Sequence, residues 1–274
     1  MAESLYNLPM TKPLIHFSHG NSYPAGSYRQ FLDQLRSDFD IRAVDMYGHD
    51  PRYPVTDGWP KLVEHLIACL EEYPGPVILV GHSLGGMLSM MAAKQRPDLV
   101  RCVVMLDSPV VAGWRAAALR LSKGFSWMDR FSPAKFSRKR RNVFPDAATA
   151  RAHFVGKAAF AAWAPGVLDD YLEHGLEPHP EGVQLRFRRE IETEIYLGLP
   201  HHLGSLMTGG FPVPIGFVAG TDSAELRQAG LAHTRALVRD NFSEIEGGHM
   251  FPMESPAKAA RLTREMIAKL LRQP

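Results

Sequence analysis

Ser83, Asp222 and His249 follow one another along the chain in settings that suit acyl transfer: Gly81-His82-Ser83-Leu84-Gly85, Gly220-Thr221-Asp222 and Glu246-Gly247-Gly248-His249. A serine hydroxyl is a poor nucleophile at neutral pH, so it needs an adjacent base, a group that orients the base, and donors for the oxyanion. The serine lies between an apolar run, Pro76 to Val80, and a helix-like run beginning near Gly86. In so sharp a strand-to-helix turn the central residue is strained and its hydroxyl stands above the sheet edge. Glycines two positions either side let helix and strand approach without a Cβ clash.

His249 is the expected base, carried over the sheet edge toward Ser83 by its glycine-rich loop. The other histidines, twelve in all with His249, read as ordinary surface or satisfied polar residues. Asp222 is the expected acid, because its loop follows a strand at the carboxyl end, where open α/β sheets place their sites. It would bond one ring nitrogen of His249, fix the tautomer and stabilise the imidazolium. Asp107, which follows the Cys102 to Leu106 run in the same way, competes for that role. The backbone N–H groups of Asn21, in His19-Gly20-Asn21, and of Leu84 are the expected oxyanion donors, with His19 bracing its loop. His-Glu-x-x-His, a cysteine cluster and a phosphate-binding glycine loop are all missing, and the side chains of His201 and His202 diverge on any regular element. No cofactor and no metal are expected.

These residues need a sheet to hold them, and strand-like and helix-like runs alternate as in a mostly parallel, doubly wound α/β sheet. Leu14 to Ser18, Ile41 to Asp45, Val77 to Val80, Cys102 to Leu106, Val213 to Ala219 and Asn241 to Ile245 read as strands. Ser27 to Arg36, Trp59 to Tyr73 and Gly86 to Arg96 carry apolar residues at helical spacing. A last helix runs to Leu271, with Ser255 suited to cap it and Pro256 to its first turn. Between about Val111 and Thr208 the rhythm fails, with breaks at Pro133, Pro145, Pro165 and Pro178. A structureless loop of that length does not suit a compact domain, so residues 111–208 read as an inserted, mainly helical cap on a core of residues 1–110 and 209–274.

The 274 residues are enough for a sizeable hydrophobic core. A formal net charge of +2 gives no reason to expect nucleic acid as a partner. The two cysteines, Cys69 and Cys102, lie in apolar segments and read as buried reduced thiols. Met1 to Lys12 lacks the pattern of a secretory signal, and no apolar run approaches the roughly 20 residues of a membrane span. A cytoplasmic protein with no stable membrane insertion is the expectation.

Four features in order resemble the α/β-hydrolase superfamily: His19-Gly20, Asp45-x-x-Gly48-His49, the Gly-x-Ser-x-Gly turn, and Asp222 before His249. The resemblance covers nearly the whole chain outside the cap and implies an esterase-like mechanism without cofactor. Only about a dozen residues precede the first strand, which implies that amino-terminal strands common in the family are shortened or missing. Serine in the turn, where dehalogenase-like and epoxide-hydrolase-like relatives carry aspartate, argues against alkyl-enzyme chemistry. The reaction expected is cleavage of small-molecule carboxylic esters with small to medium hydrophobic acyl groups. The alternatives are thioester cleavage, carbon–carbon bond hydrolysis, perhydrolase-like or haloperoxidase-like chemistry, and a noncatalytic ligand-binding role.

The cap holds Trp114, Phe125, Trp127, Met128, Phe131, Phe136, Phe144, Phe154, Phe160 and Trp163. Some would face Ser83 as an apolar pocket, and most would pack the cap onto the core. The run Arg138-Lys139-Arg140-Arg141 reads as a solvated helix face, with attraction of an anionic substrate or a membrane surface as the functional alternative.

Overall fold

Side chains alternate across a strand, and Val77 to Val80 shows what that does here. Val77 and Leu79 join the apolar layer on one face of the central sheet, while Ile78 and Val80 join the layer on the other. The run is apolar throughout because both faces are covered, as a parallel sheet requires. The structure, a computed structural model, describes residues 12–124 and 134–273. Met1 to Thr11 of the segment read for a secretory signal, and Phe125, Trp127, Met128 and Phe131, lie outside the described residues.

In chain order the strands are β1 (Leu14–Ser18), β2 (Asp40–Ala43), β3 (Val77–His82), β4 (Val100–Leu106), β5 (Val143–Phe144), β6 (Leu176–His179), β7 (Gly182–Leu185), β8 (Ile215–Gly220) and β9 (Phe242–Ile245). Six of them form the central sheet in the order β2-β1-β3-β4-β8-β9, and every pair is parallel. All six expected strands are therefore present, with ends displaced by a few residues. Helices α1 (Arg29–Leu35), α2 (Pro60–Glu71) and α3 (Leu84–Gln95) cover the sheet. Leu62, Leu66 and Leu88 of α2 and α3 pack on the Leu79 face. Phe31 and Leu35 of α1, with Ile267 and Leu270 of the final helix, Pro256–Leu270, pack on the Val80 face.

Helix starts differ from expectation for local reasons. The stretch from Ser27 splits into a tight 3-10 turn, Ala25–Tyr28, followed by α1. Helix α3 begins at Leu84, directly after the serine, because the turn is closed within the Ser83 backbone itself. Ser255 occupies the cap position of the final helix, but its side chain makes no capping bond; its carbonyl instead accepts from Ala259 N–H at 2.9 Å.

Strands β4 and β8 are neighbours, paired from Val103 with Ile215 to Leu106 with Val218, so everything between them leaves and re-enters the sheet at one place. That inserted stretch is not purely helical. It contains a small antiparallel sheet, ordered β5-β7-β6, beside helices that include Ala134–Arg138, Ala147–Val155, Val167–Gly175 and Arg189–Leu197. Pro178 reads as a break in the sequence yet lies within β6, an edge strand, where a missing N–H is tolerated. Among the described residues no helix is long and apolar enough to cross a membrane. Both cysteines are free, and burial pushes the Cys102 thiol up to about 12.

Candidate active site

Because the strands of the sheet are parallel, their carboxyl ends share one edge, and the turns beyond β1, β3, β4, β8 and β9 carry the candidate residues. Ser83 links β3 to α3 with φ 52° and ψ −116°, a left-handed conformation that an L-residue adopts only under constraint. The constraint is visible on both sides: Ser83 N–H donates to Leu106 O at 3.0 Å, and Ser83 O accepts from Gly86 N–H at 3.2 Å. A Cβ on Gly81 would lie 2.3 Å from the Gly85 carbonyl, and one on Gly85 would lie 2.0 Å from Ser18 O. The two glycines are thus the condition for α3 to start this close to the strands.

His249 Nε2 is 3.0 Å from Ser83 Oγ, and His249 Nδ1 is 2.7 Å from Asp107 Oδ2. Asp107, not Asp222, orients the histidine. The reason lies in register: Leu106 pairs with His82, so the residue after β4 emerges beside the residue after β3. The Asp107 carboxylate is wholly buried and also accepts Gly220 N–H at 2.8 Å and the Ser223 hydroxyl at 2.5 Å. Asp222 is exposed, with Thr221 Oγ1 3.5 Å from its carboxylate. Its loop serves the histidine through the main chain, as Asp222 N–H donates to Gly247 O at 2.9 Å and Thr221 N–H to Ile245 O at 2.9 Å.

Burial of His249 disfavours its charged form, but the hydrogen bond and charge of Asp107, with Glu225 and Glu254 adding, outweigh it and raise its pKa above the ordinary value. The Glu225 carboxylate stands 3.9 Å from His249 Nδ1, a neighbour that no sequence signal marks. Asp107, Glu225 and His249 bring possible metal-ligating atoms within 4.8 Å of one another. His249 Nδ1 and Asp107 Oδ2 are bonded to each other, the contact by which a carboxylate holds a histidine ring in one orientation.

Leu84 is the first residue of α3, where helix N–H groups lack intrahelical partners. Asn21 sits in the Gly20–Tyr23 turn after β1, held by its side-chain Nδ2 donating to Glu192 O at 3.1 Å. β1 and β3 are adjacent, with Ser18 paired to Gly81, so this turn lies beside the serine turn. His19 braces it: its Nδ1–H donates to Gly20 O at 2.8 Å and its Nε2 accepts Tyr47 N–H at 2.8 Å. Burial holds His19 neutral, with its pKa down to about 4.

His82 carries no local sequence signal for its place in this site. Its Nε2 is 2.9 Å from His249 O, which can only accept, so the proton is on Nε2. Its Nδ1 then accepts the Tyr28 hydroxyl at 2.7 Å, and that oxygen accepts Gly20 N–H at 3.0 Å. Burial, reinforced by His249 nearby, pushes the His82 pKa well below its ordinary value and keeps the ring neutral. The turn after β1 and the backbone of His249 are thereby tied through one rigid chain.

The profile of the alpha/beta hydrolase family matches residues 17–262 of this sequence. The chain belongs to that family. Its sequence is 32% identical over 116 residues to monoglyceride lipase of Rattus norvegicus, a match covering 39% of this chain and 38% of that protein. It is 37% identical over 101 residues to 2-(acetamidomethylene)succinate hydrolase of Mesorhizobium japonicum, covering 35% of each. The matches thus span well under half the length of these relatives. Among solved structures, a thioesterase domain from the curacin biosynthetic pathway superposes with TM-score 0.72 and 20% identity, covering 92% of this chain and 91% of that one, which shows the shared fold.

In this alpha/beta hydrolase the Asp45-x-x-Gly48-His49 turn after β2 meets the inserted stretch. Asp45 pairs with Arg186 at 2.6 Å, and His49 Nε2 accepts Arg188 N–H at 3.1 Å. The basic run is not one solvated face: Lys139 and Arg141 are exposed, but Arg140 folds inward to Glu192 at 2.7 Å and to the Tyr171 hydroxyl. Of the inserted aromatics, Phe144, Phe154 and Trp163 are buried, whereas Trp114 and Phe136 are 71% and 78% exposed.

Proposed function

We propose that this protein is a serine hydrolase that cleaves carboxylic esters of small to medium hydrophobic acyl groups through an acyl-enzyme, with Ser83 as nucleophile, His249 as base and Asp107 as the orienting acid. The observation that carries the reading is the unbroken contact from Ser83 Oγ to His249 at 3.0 Å and from His249 to Asp107 at 2.7 Å. His249 Nε2 takes the hydroxyl proton as Oγ attacks the acyl carbonyl, and Asp107 stabilises the imidazolium without taking a proton itself. The N–H groups of Leu84 and Asn21 receive the oxyanion. His249 then gives its proton to the leaving alcohol, and a water deprotonated by the same ring releases the acid. Residues 111–208 act as a cap over this edge, with part of its aromatic set forming the acyl wall.

Reaction with a fluorophosphonate, read by intact mass, tests this. One adduct per chain that maps to Ser83 and is lost in Ser83→Ala, with turnover of short and medium p-nitrophenyl esters, is the expected result. Folded wild-type protein that takes up no adduct and turns over no ester would overturn the proposal.

A further inference from the structure

Beside the turn that carries Asn21, a hollow of about 680 Å³ is lined by Ser22 and Tyr23 together with Lys135, Lys139, Arg140, Arg141 and Lys157. Five cations share its wall with a single carboxylate, Glu192. That carboxylate is engaged by Arg140 at 2.7 Å, while the Glu192 carbonyl accepts from Asn21, so one residue joins the cationic wall to the oxyanion turn. Arg140 is held from both sides, because its other nitrogen donates to the Tyr171 hydroxyl. Arg141 is steadied by Val143 O at 3.1 Å and by the Phe144 ring at 4.7 Å. Lys135, Lys139 and Lys157 have no anionic partner among the described residues.

Gathering like charges around a hollow raises its electrostatic potential, and concave walls focus that potential inward. His153, in the same wall, registers this: burial and then the charges of Lys157, Arg141 and Arg140 lower its pKa, and its Nε2 is buried with no hydrogen-bond partner. The hollow is not uniformly polar, since Phe154 and Phe160 also line it, 5.1 Å apart between ring centroids. An occupant that matches has an apolar stem and an anionic head. We propose that this hollow is a substrate subsite for the anionic group, carboxylate or phosphate ester, of an acyl compound whose apolar stem lies along Phe154 and Phe160 and whose carbonyl reaches Ser83. The inference rests on the acyl-transfer reading above and adds the substrate's charge.

The test uses Ser83→Ala protein in calorimetric titrations with three probes: monoethyl adipate, butyryl coenzyme A and the neutral diethyl adipate. At least one anionic probe is expected to bind about tenfold more tightly than the neutral diester, and the Lys139→Gln/Lys157→Gln background is expected to remove that advantage. Preference for the monoester assigns the anion to the acyl chain, and preference for the coenzyme assigns it to a phosphate-bearing thiol carrier. Equal binding of neutral and anionic probes, binding of none, or an advantage that survives the double substitution overturns the proposal. A second readout uses wild-type protein: adipate should inhibit p-nitrophenyl butyrate turnover competitively, and less well as salt is added. Turnover of neutral esters with no effect of adipate or charge would sink the subsite and leave the hydrolase reading intact; no Ser83 adduct would sink the latter.

Discussion

The carboxyl edge of the central sheet and the stretch inserted between β4 and β8 solve the problem of placing a side chain in different ways. At the edge, Ser83 and Asp107 each stand one residue beyond a strand, and their backbones are bonded to neighbouring strands, Ser83 to Leu106 and Asp107 to Val218. Sheet register alone brings them to the same spot. In the inserted stretch, position depends on side chains meeting across separate elements, as when Arg140 meets Glu192 and Tyr171. Side chains at strand ends are positioned by the sheet, whereas the wall of the inserted stretch is positioned by pairs of side chains, and elements of regular structure place a group more precisely than loops do.

The comparison can be broken most decisively at the edge. Ser83→Ala or His249→Ala should lower kcat by about 10⁴-fold or more, because the members of such a unit act together. Asp107→Asn should cost about 10⁴-fold by stabilising the wrong tautomer of His249, and steady-state kinetics on p-nitrophenyl butyrate would show it. Asp222→Asn, on the same assay, should change turnover by less than about threefold, as expected for an exposed side chain with no bond to the histidine. Comparable losses in the two variants would contradict the placement of the acid.

Next comes the link from Tyr28 through His82 to His249. His82→Gln keeps a donor for the His249 carbonyl and should cost less than His82→Leu, which leaves that carbonyl and the Tyr28 hydroxyl without their partner. We expect His82→Leu to lower kcat about tenfold or more with KM little changed, in line with a lost buried hydrogen bond at a positioning residue. A rise in KM alone would place His82 in substrate binding.

The pH profile gives a smaller and directional effect. His249 works as a base only when neutral, so kcat/KM should rise with pH through a midpoint above the ordinary histidine value of 6.5. Glu225 helps to raise that pKa, and Glu225→Gln should therefore move the rising limb to lower pH. An upward shift would show that Glu225 acts on the ring otherwise than through its charge.

The same contrast explains what could be read from the sequence. Apolar runs of the right length located all six central strands, and the Gly-x-Ser-x-Gly turn located the serine, because these signals are local. Asp222 is the expected acid and Asp107 the one that contacts His249, because both follow a strand and only the pairing of Leu106 with His82 decides which lies beside the serine turn. His82 carries no local mark: its role depends on Tyr28 and on the His249 carbonyl, 54 and 167 residues away. The basic run looked like a solvated face because inward folding of Arg140 requires Glu192, 52 residues further on.

The most direct test of the central arrangement is the rate of fluorophosphonate labelling at Ser83 in wild-type, Asp107→Asn and Asp222→Asn proteins, followed by intact mass. The structure predicts rapid labelling of the wild type and Asp222→Asn and at least about a hundredfold slower labelling of folded Asp107→Asn. Slow labelling of Asp222→Asn with Asp107→Asn unaffected would contradict it.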